Sequence, residues 1–124
     1  VLVHADCKPL CIYANARQMT ELLSNLLSNA IKYNKPGGEV WVTITEEDKE
    51  MIIRVRDNGM GIPKESLGRI FERFYRVDKG RSRKQGGTGL GLSIVKHIAG
   101  YYHGTITVQS ELEAGTEFTV KIPI

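Results

Sequence analysis

Between residues 15 and 33 the apolar side chains fall at helical spacing: Met19, Leu22, Leu23, Leu26, Leu27, Ala30 and Ile31. This period predicts one long helix, with Asn15 as its N-cap. The breaker Asn34-Lys35-Pro36-Gly37-Gly38 ends it near Tyr33. Past the breaker the period drops to two. Residues 39–46 alternate as a strand, the polar turn EDKE follows, and a second strand covers 51–56. A short helix is predicted over 64–72 and a longer one over 90–102, ended by His103-Gly104. Two strands close the chain at 105–110 and 117–122, with Gly115 in the turn between them. At the other end, residues 2–6 and 10–13 read as short strands separated by Lys8-Pro9.

Paired strands alternating with helices predict an α/β two-layer sandwich: a mixed, mostly antiparallel sheet with helices on one face. The 124 residues suit one domain, 1–124, and 41% apolar residues suffice for a modest core. No apolar run is long enough to span a bilayer. The chain starts at Val1 rather than methionine, so it reads as a fragment. Any membrane anchor of the parent protein is expected outside it.

Net charge is only +3, but it is unevenly placed. Lys64 to Lys84 holds eight basic residues against three acidic ones. Such a segment suits an anionic partner, such as nucleotide phosphate, or is simply a solvated loop. Cys7 and Cys11 are the only cysteines, too few for a disulfide framework. With His4 they make three metal-ligand types, but a closed zinc site needs four ligands.

Four segments carry candidate chemistry. On the long helix, Glu21, Asn25 and Asn29 stand at i, i+4 and i+8 beside the leucine face, with Lys32 and Tyr33 continuing the row. Asn is a poor helix former, so two of them in one stripe point to oxygen and amide groups that ligate Mg²⁺ and bind phosphate. A merely exposed polar stripe is the simpler alternative. Next, Asp57-Asn58-Gly59-Met60-Gly61-Ile62-Pro63 follows a strand but leads into a helix, which argues against a hairpin turn. Asp57 can accept a hydrogen bond from an exocyclic amine, and Gly59 and Gly61 leave space for a planar ring. Third, Gly86 to Leu92 (GGTGLGL) opens a helix and offers N–H groups to phosphate. It is not a P-loop, since Leu92 rather than Lys follows Gly91, and it lacks the third glycine of the dinucleotide fingerprint. Fourth, Arg69 to Arg76 interleaves arginines with aromatics, of which Phe71 and Phe74 are most simply core contacts. Single-stranded nucleic acid is a further reading of this segment, but no fold signature for it appears.

Taken in order, these segments resemble the ATPase family of histidine kinases, gyrase, Hsp90-type chaperones and mismatch-repair proteins, with its Bergerat-type ATP-binding fold. ELLSNLLSNAIKY is similar to the family's asparagine box, DNGMGIP to its first glycine box, IFERFYRVD to its phenylalanine box and GGTGLGLSIV to its second glycine box. A late GTEFTV matches as well. The resemblance covers about residues 10–124, and the wording FERFYR and GTGLGLSIVKHI is that of bacterial sensor histidine kinases.

The resemblance implies ATP and Mg²⁺ as cofactors and a role for each position. Asn25 would ligate Mg²⁺ and Asn29 would contact the metal-phosphate region. Lys32 would reach the phosphates, and Tyr33 would pack near the ribose or base. Asp57 would bond the adenine amine, with Gly59 and Gly61 giving room for the ring, and Ile62 and Thr116 would also contact the nucleotide. Residues 77–87 would form a lid. Gly87, Thr88, Gly89, Leu90, Gly91 and Leu92 would hold the phosphates. Arg76 would approach the γ-phosphate, and Glu21 stands where a general base is sometimes proposed. The family's phosphoacceptor histidine sits in a pattern like HELRTPL, and His4, His97 and His103 have no such context. The resemblance therefore implies a cytoplasmic, monomeric catalytic module in two-component signalling. It would phosphorylate a histidine on the kinase's separate dimerisation domain, reach a response regulator indirectly, bind no nucleic acid, and meet a membrane only through its parent. The alternatives are a non-catalytic ATP- or protein-binding regulatory module and an ATPase of the chaperone or topoisomerase type. The latter have longer domains with added segments.

Overall fold

Alternating side chains make the sheet, and their register decides which face is covered. In the computed structural model, residues 1–75 and 91–124 are described. Their elements run β1 (Leu2–Cys7), α1 (Ala16–Lys32), β2 (Glu39–Glu47), β3 (Glu50–Asp57), α2 (Lys64–Leu67), α3 (Gly91–Tyr101), β4 (Thr105–Glu111) and β5 (Gly115–Pro123). The sheet order is β1-β2-β3-β5-β4. β1 pairs with β2 in parallel, and the other pairings are antiparallel. The expected mixed sheet is present.

Val40 and Val42 of β2, Met51, Ile53 and Val55 of β3, and Phe118, Val120 and Ile122 of β5 bury one face of the sheet. Leu22, Leu26 and Ala30 of α1 and Val95, Ile98 and Ala99 of α3 complete the same core. The i, i+4, i+8 spacing of the α1 residues puts them on one stripe. Asp57 and Thr116 continue the covered face at one end of β3 and β5, where they pair across the strands. On the opposite face His4 stacks on Trp41 at 5.7 Å, and the Arg56 guanidinium lies 4.5 Å from the Trp41 ring centroid.

Asn15 caps α1 as expected: its Oδ1 accepts from the Gln18 N–H at 3.1 Å. The end of α3 is tied to the same place. Asn15 N–H donates to the Tyr102 hydroxyl at 2.9 Å, and that hydroxyl donates to Gln18.

Three expectations are corrected. Residues 10–13 form no strand. Lys8 N–H still bonds the Ile44 carbonyl at 3.1 Å, but Pro9 has no N–H to continue the ladder. Leu10 and Ile12 pack on the core from coil instead. The helix expected over 64–72 stops at Leu67. It gives way at Gly68 to successive tight turns, Arg69 N–H to Ser66 O and Glu72 N–H to Arg69 O, each 2.9 Å. Because the helix ends, Phe71 and Phe74 do not share a face. Phe71 packs edge-on against Phe118, whereas Phe74 has φ +66° and is 65% exposed.

Candidate functional site

The asparagine stripe meets the start of α3. Asn25 is half-buried, one residue before the fully buried Leu26, which aims it beside the core rather than into it. Its Nδ2 donates to the Glu21 carbonyl at 2.8 Å, so the amide is held in one orientation. Its Oδ1 faces Gly91: a Cβ there would lie 3.0 Å from it. The first described turn of α3 therefore sits against an oriented amide oxygen. Asn29 is half-buried one turn further along α1, and Lys32 and Tyr33 end the helix.

The other end of the site is the loop after β3. Asp57 is 7% exposed, and its Oδ1 accepts the Gly59 N–H at 2.9 Å. Burial pushes its carboxyl above the ordinary value of 3.8, while hydrogen bonds from the backbone of Gly59 and Thr116 pull partly back. The loop is docked on the end of α1: Met60 N–H donates to the Tyr33 carbonyl at 3.2 Å. A Cβ at Gly59 would lie 2.5 Å from that carbonyl oxygen. At Gly61, where φ is +76°, it would strike the Glu111 carbonyl. The two glycines thus serve close backbone packing of the loop between α1 and the β4–β5 turn.

The β4–β5 turn supplies the third wall. Thr116 is 6% exposed, and its hydroxyl is 2.8 Å from that of Ser110. Ser110 Oγ also donates to the Gly115 carbonyl at 3.0 Å and accepts the Ile62 N–H at 2.7 Å. Asn58 and Asn34 brace the loop from β2. Asn58 Oδ1 accepts the Glu39 N–H at 2.8 Å, and Asn34 Nδ2 donates to the Glu39 carbonyl at 3.0 Å.

The pattern shared by histidine kinase-, DNA gyrase B- and HSP90-like ATPases matches residues 14–124. The chain belongs to this ATPase family. Within the family it is similar to the sensor histidine kinase RppB of Synechocystis, 47% identical over 112 residues, which cover 90% of this chain and 25% of that protein. The mycobacterial sensor histidine kinase MprB shares its fold with a TM-score of 0.87 and 29% identity, over 98% of this chain and 83% of that one. Full-length ShkA, solved in complex with AMPPNP, aligns with a TM-score of 0.82 and 30% identity over 98% of this chain and 25% of that one. The chain spans about a quarter or less of the length of the curated relatives it matches. Among the described residues no helix is long and apolar enough to cross a membrane.

For a member of this ATPase family the ligand is ATP. Of the expected contacts, the fold brings Asn25 to Gly91, and Tyr33 to Gly59. It also gathers Asp57, Gly61, Ile62 and Thr116 around one loop. α1 connects the two groups. Glu21 is exposed one turn before Asn25, and only its carbonyl touches that residue. Arg76, Gly87, Thr88, Gly89 and Leu90, with the lid segment 77–87, lie outside the described residues. The sequence motifs imply no role for Ser110, Asn34 or Asn58, which the fold brings to the site. The signal for Ser110 was available: Ile106 and Val108 set the inward phase of β4, and Ser110 is a polar residue at the next inward position.

Proposed function

We propose that this chain is the Mg-ATP-binding catalytic module of a sensor histidine kinase. In that role it donates the γ-phosphoryl group of ATP to a histidine on a separate dimerisation domain. The observation that carries the reading is the placement of two unlike groups along α1. A buried carboxylate, Asp57, lies by its C-terminal end, and an oriented amide oxygen, Asn25, lies against the N-terminus of α3. Asn25 and Tyr33 are eight residues apart, a rise of about 12 Å. That suits a nucleotide laid with its base at Asp57 and its phosphates at Gly91.

Each residue then has a task its chemistry fits. Asp57 accepts from the adenine amine, with Gly59, Gly61, Ile62 and Thr116 around the ring. Tyr33 packs by the ribose or base. Lys32 and Asn29 serve the phosphates, and the glycine-rich sequence from Gly87 to Leu92 supplies N–H donors for them. Arg76 adds charge at the γ-phosphate, and Glu21, one turn before Asn25, offers a carboxylate for a base. Asn25 fits a hard cation, because the bond at its amide nitrogen turns the oxygen towards Gly91. Bound there, Mg²⁺ would neutralise phosphate charge, the main requirement of phosphoryl transfer. The phosphorus–oxygen bond to ADP breaks as a phosphorus–nitrogen bond to the acceptor imidazole forms. His4 is stacked on Trp41 on the opposite face of the sheet from Asp57. By this reading the module works on the cytoplasmic side of its parent sensor, and a response regulator receives the phosphoryl group afterwards.

The test is transfer of labelled γ-phosphate. The chain, mixed with the dimerisation domain of its own kinase and Mg-ATP, is expected to label the acceptor histidine. Tight ATP binding with no labelling would instead leave a nucleotide-binding regulatory module.

A further inference from the structure

Ser110 makes three hydrogen bonds with one hydroxyl. It accepts the Ile62 N–H at 2.7 Å, contacts the Gly115 carbonyl at 3.0 Å and lies 2.8 Å from Thr116 Oγ1. A serine hydroxyl has one proton and two lone pairs, so three partners saturate it. A carbonyl can only accept, so the Ser110 proton goes to Gly115. The Ile62 N–H can only donate, so it takes one lone pair. The remaining lone pair receives the proton of Thr116. The Thr116 hydroxyl is thereby fixed as a donor towards Ser110, and its own lone pairs remain for other partners. Thr116 pairs across the strands with Asp57, on the covered face of the sheet. Asp57, when ionised, is also an acceptor only.

We propose that Ser110 is a positioning residue of the nucleotide site. By holding the Thr116 proton and the Ile62 backbone together, it leaves two acceptors, Thr116 Oγ1 and the Asp57 carboxylate, side by side. That pair selects a base that carries an exocyclic amine. The proposal rests on the reading of Asp57 and Thr116 as the base-binding end of the site. Ser110 itself need not touch the nucleotide. Its backbone position is set by β4, and its effect passes through Thr116 and through the loop at Ile62.

Two alanine consequences follow. Removing the Ser110 hydroxyl frees the Thr116 proton to rotate, so Thr116 can present a donor instead of an acceptor. It also leaves the half-buried Ile62 N–H without its partner, which loosens the loop that carries Gly61. The first effect is specific to a base with an amine, whereas the second weakens every nucleotide.

The experiment is a titration of the chain with ADP and with inosine diphosphate, which carries an oxo group where ADP has its amine. Both are measured in Mg²⁺ by competition against a fluorescent nucleotide. Wild type, Ser110→Ala, Thr116→Val and the double variant are compared, with thermal melting alongside. Ser110→Ala is expected to weaken ADP by about fivefold, the scale of one net hydrogen bond, and to weaken inosine diphosphate less. In the Thr116→Val background the same change should cost ADP less than about twofold, because its main route is already gone. Ser110→Cys, which keeps the volume but makes only weak hydrogen bonds, should behave like Ser110→Ala and serves if the alanine variant does not fold. Unchanged ADP affinity in a folded Ser110 variant would overturn the proposal, as would equal losses for the two nucleotides or full additivity with Thr116→Val. If the unsubstituted chain bound no ADP, the nucleotide reading would fall, and this proposal with it.

Discussion

Asn25 on α1 and Gly91 at the start of α3 stand so close that no larger residue than glycine fits between them without displacement. A Cβ at Gly91 would lie 3.0 Å from Asn25 Oδ1. The contact joins two segments 66 positions apart, and it places an oriented oxygen at a helix N-terminus.

Gly91→Ala tests that contact. Gly91 is helical, so the gain in helix propensity from alanine, at most about 1 kcal/mol, works against the close contact with Asn25 Oδ1. Asn25 cannot yield freely, since its nitrogen is bonded to Glu21. Calorimetry should show Mg-ATP binding several-fold weaker, while the two opposed effects keep the change in stability within about 1 kcal/mol. Unaltered affinity would mean that the Asn25 oxygen plays no part in binding.

Asp57→Asn should separate binding from stability. Loss of a charge-assisted hydrogen bond to the amine is expected to weaken ADP by about tenfold or more. Stability should move the other way. Burial raises the carboxyl above 3.8, so the folded state holds its proton more tightly than the unfolded chain does. The stabilisation from that proton is complete below 3.8 and is lost as pH rises through the raised folded value. At neutral pH the asparagine variant should therefore melt higher than wild type, and the gap should close on acidification towards 3.8. A melting difference that stayed constant with pH would contradict this.

Gly61→Ala should unfold the loop rather than tune it. The residue has φ +76°, and a Cβ would strike the Glu111 backbone carbonyl, which has no side-chain freedom with which to yield. The cost in urea denaturation should be about 2 kcal/mol or more. A near-neutral result would show that the loop can repack away from the β4–β5 turn.

Tyr102→Phe removes the hydroxyl that ties the α3 end to Asn15 and Gln18. Asn15 is exposed, so water can replace part of the loss, and the expected cost is about 1 kcal/mol. Nucleotide affinity should not change, because the clamp sits at the far end of α1 from Tyr33. Reduced affinity in this variant would indicate that α1 shifts as a unit.

The strands, α1 and the chemical types at the site could be read from sequence because each depends on local repetition. The leucine spacing of α1, the alternation in 39–46 and 51–56, and the Asn25-Asn29 stripe are properties of neighbours. The glycine clusters were equally visible, but not every group packed against them. The motif predicts space for a ring at Gly59 and Gly61. The fold also packs Tyr33, Asn34 and Glu111, which are distant in sequence, against these glycines.

The corrected expectations concern other segments. Residues 10–13 have a strand's composition, yet Pro9 ends the ladder, so Leu10 and Ile12 pack as coil. Phe71 and Phe74 would share a face only if the helix continued past Gly68, and it does not. Sequence alone determined the periodicities, the caps and the kinds of side chain offered at the site. Tertiary structure decided which of them meet: Asn25 with Gly91, Asp57 with Thr116, and Ser110 with both Thr116 and Ile62. The reason is physical. Periodicity is set by covalent neighbours, whereas the direction of a hydroxyl proton or the need for a missing Cβ is set by whichever backbone the fold brings within a few ångströms.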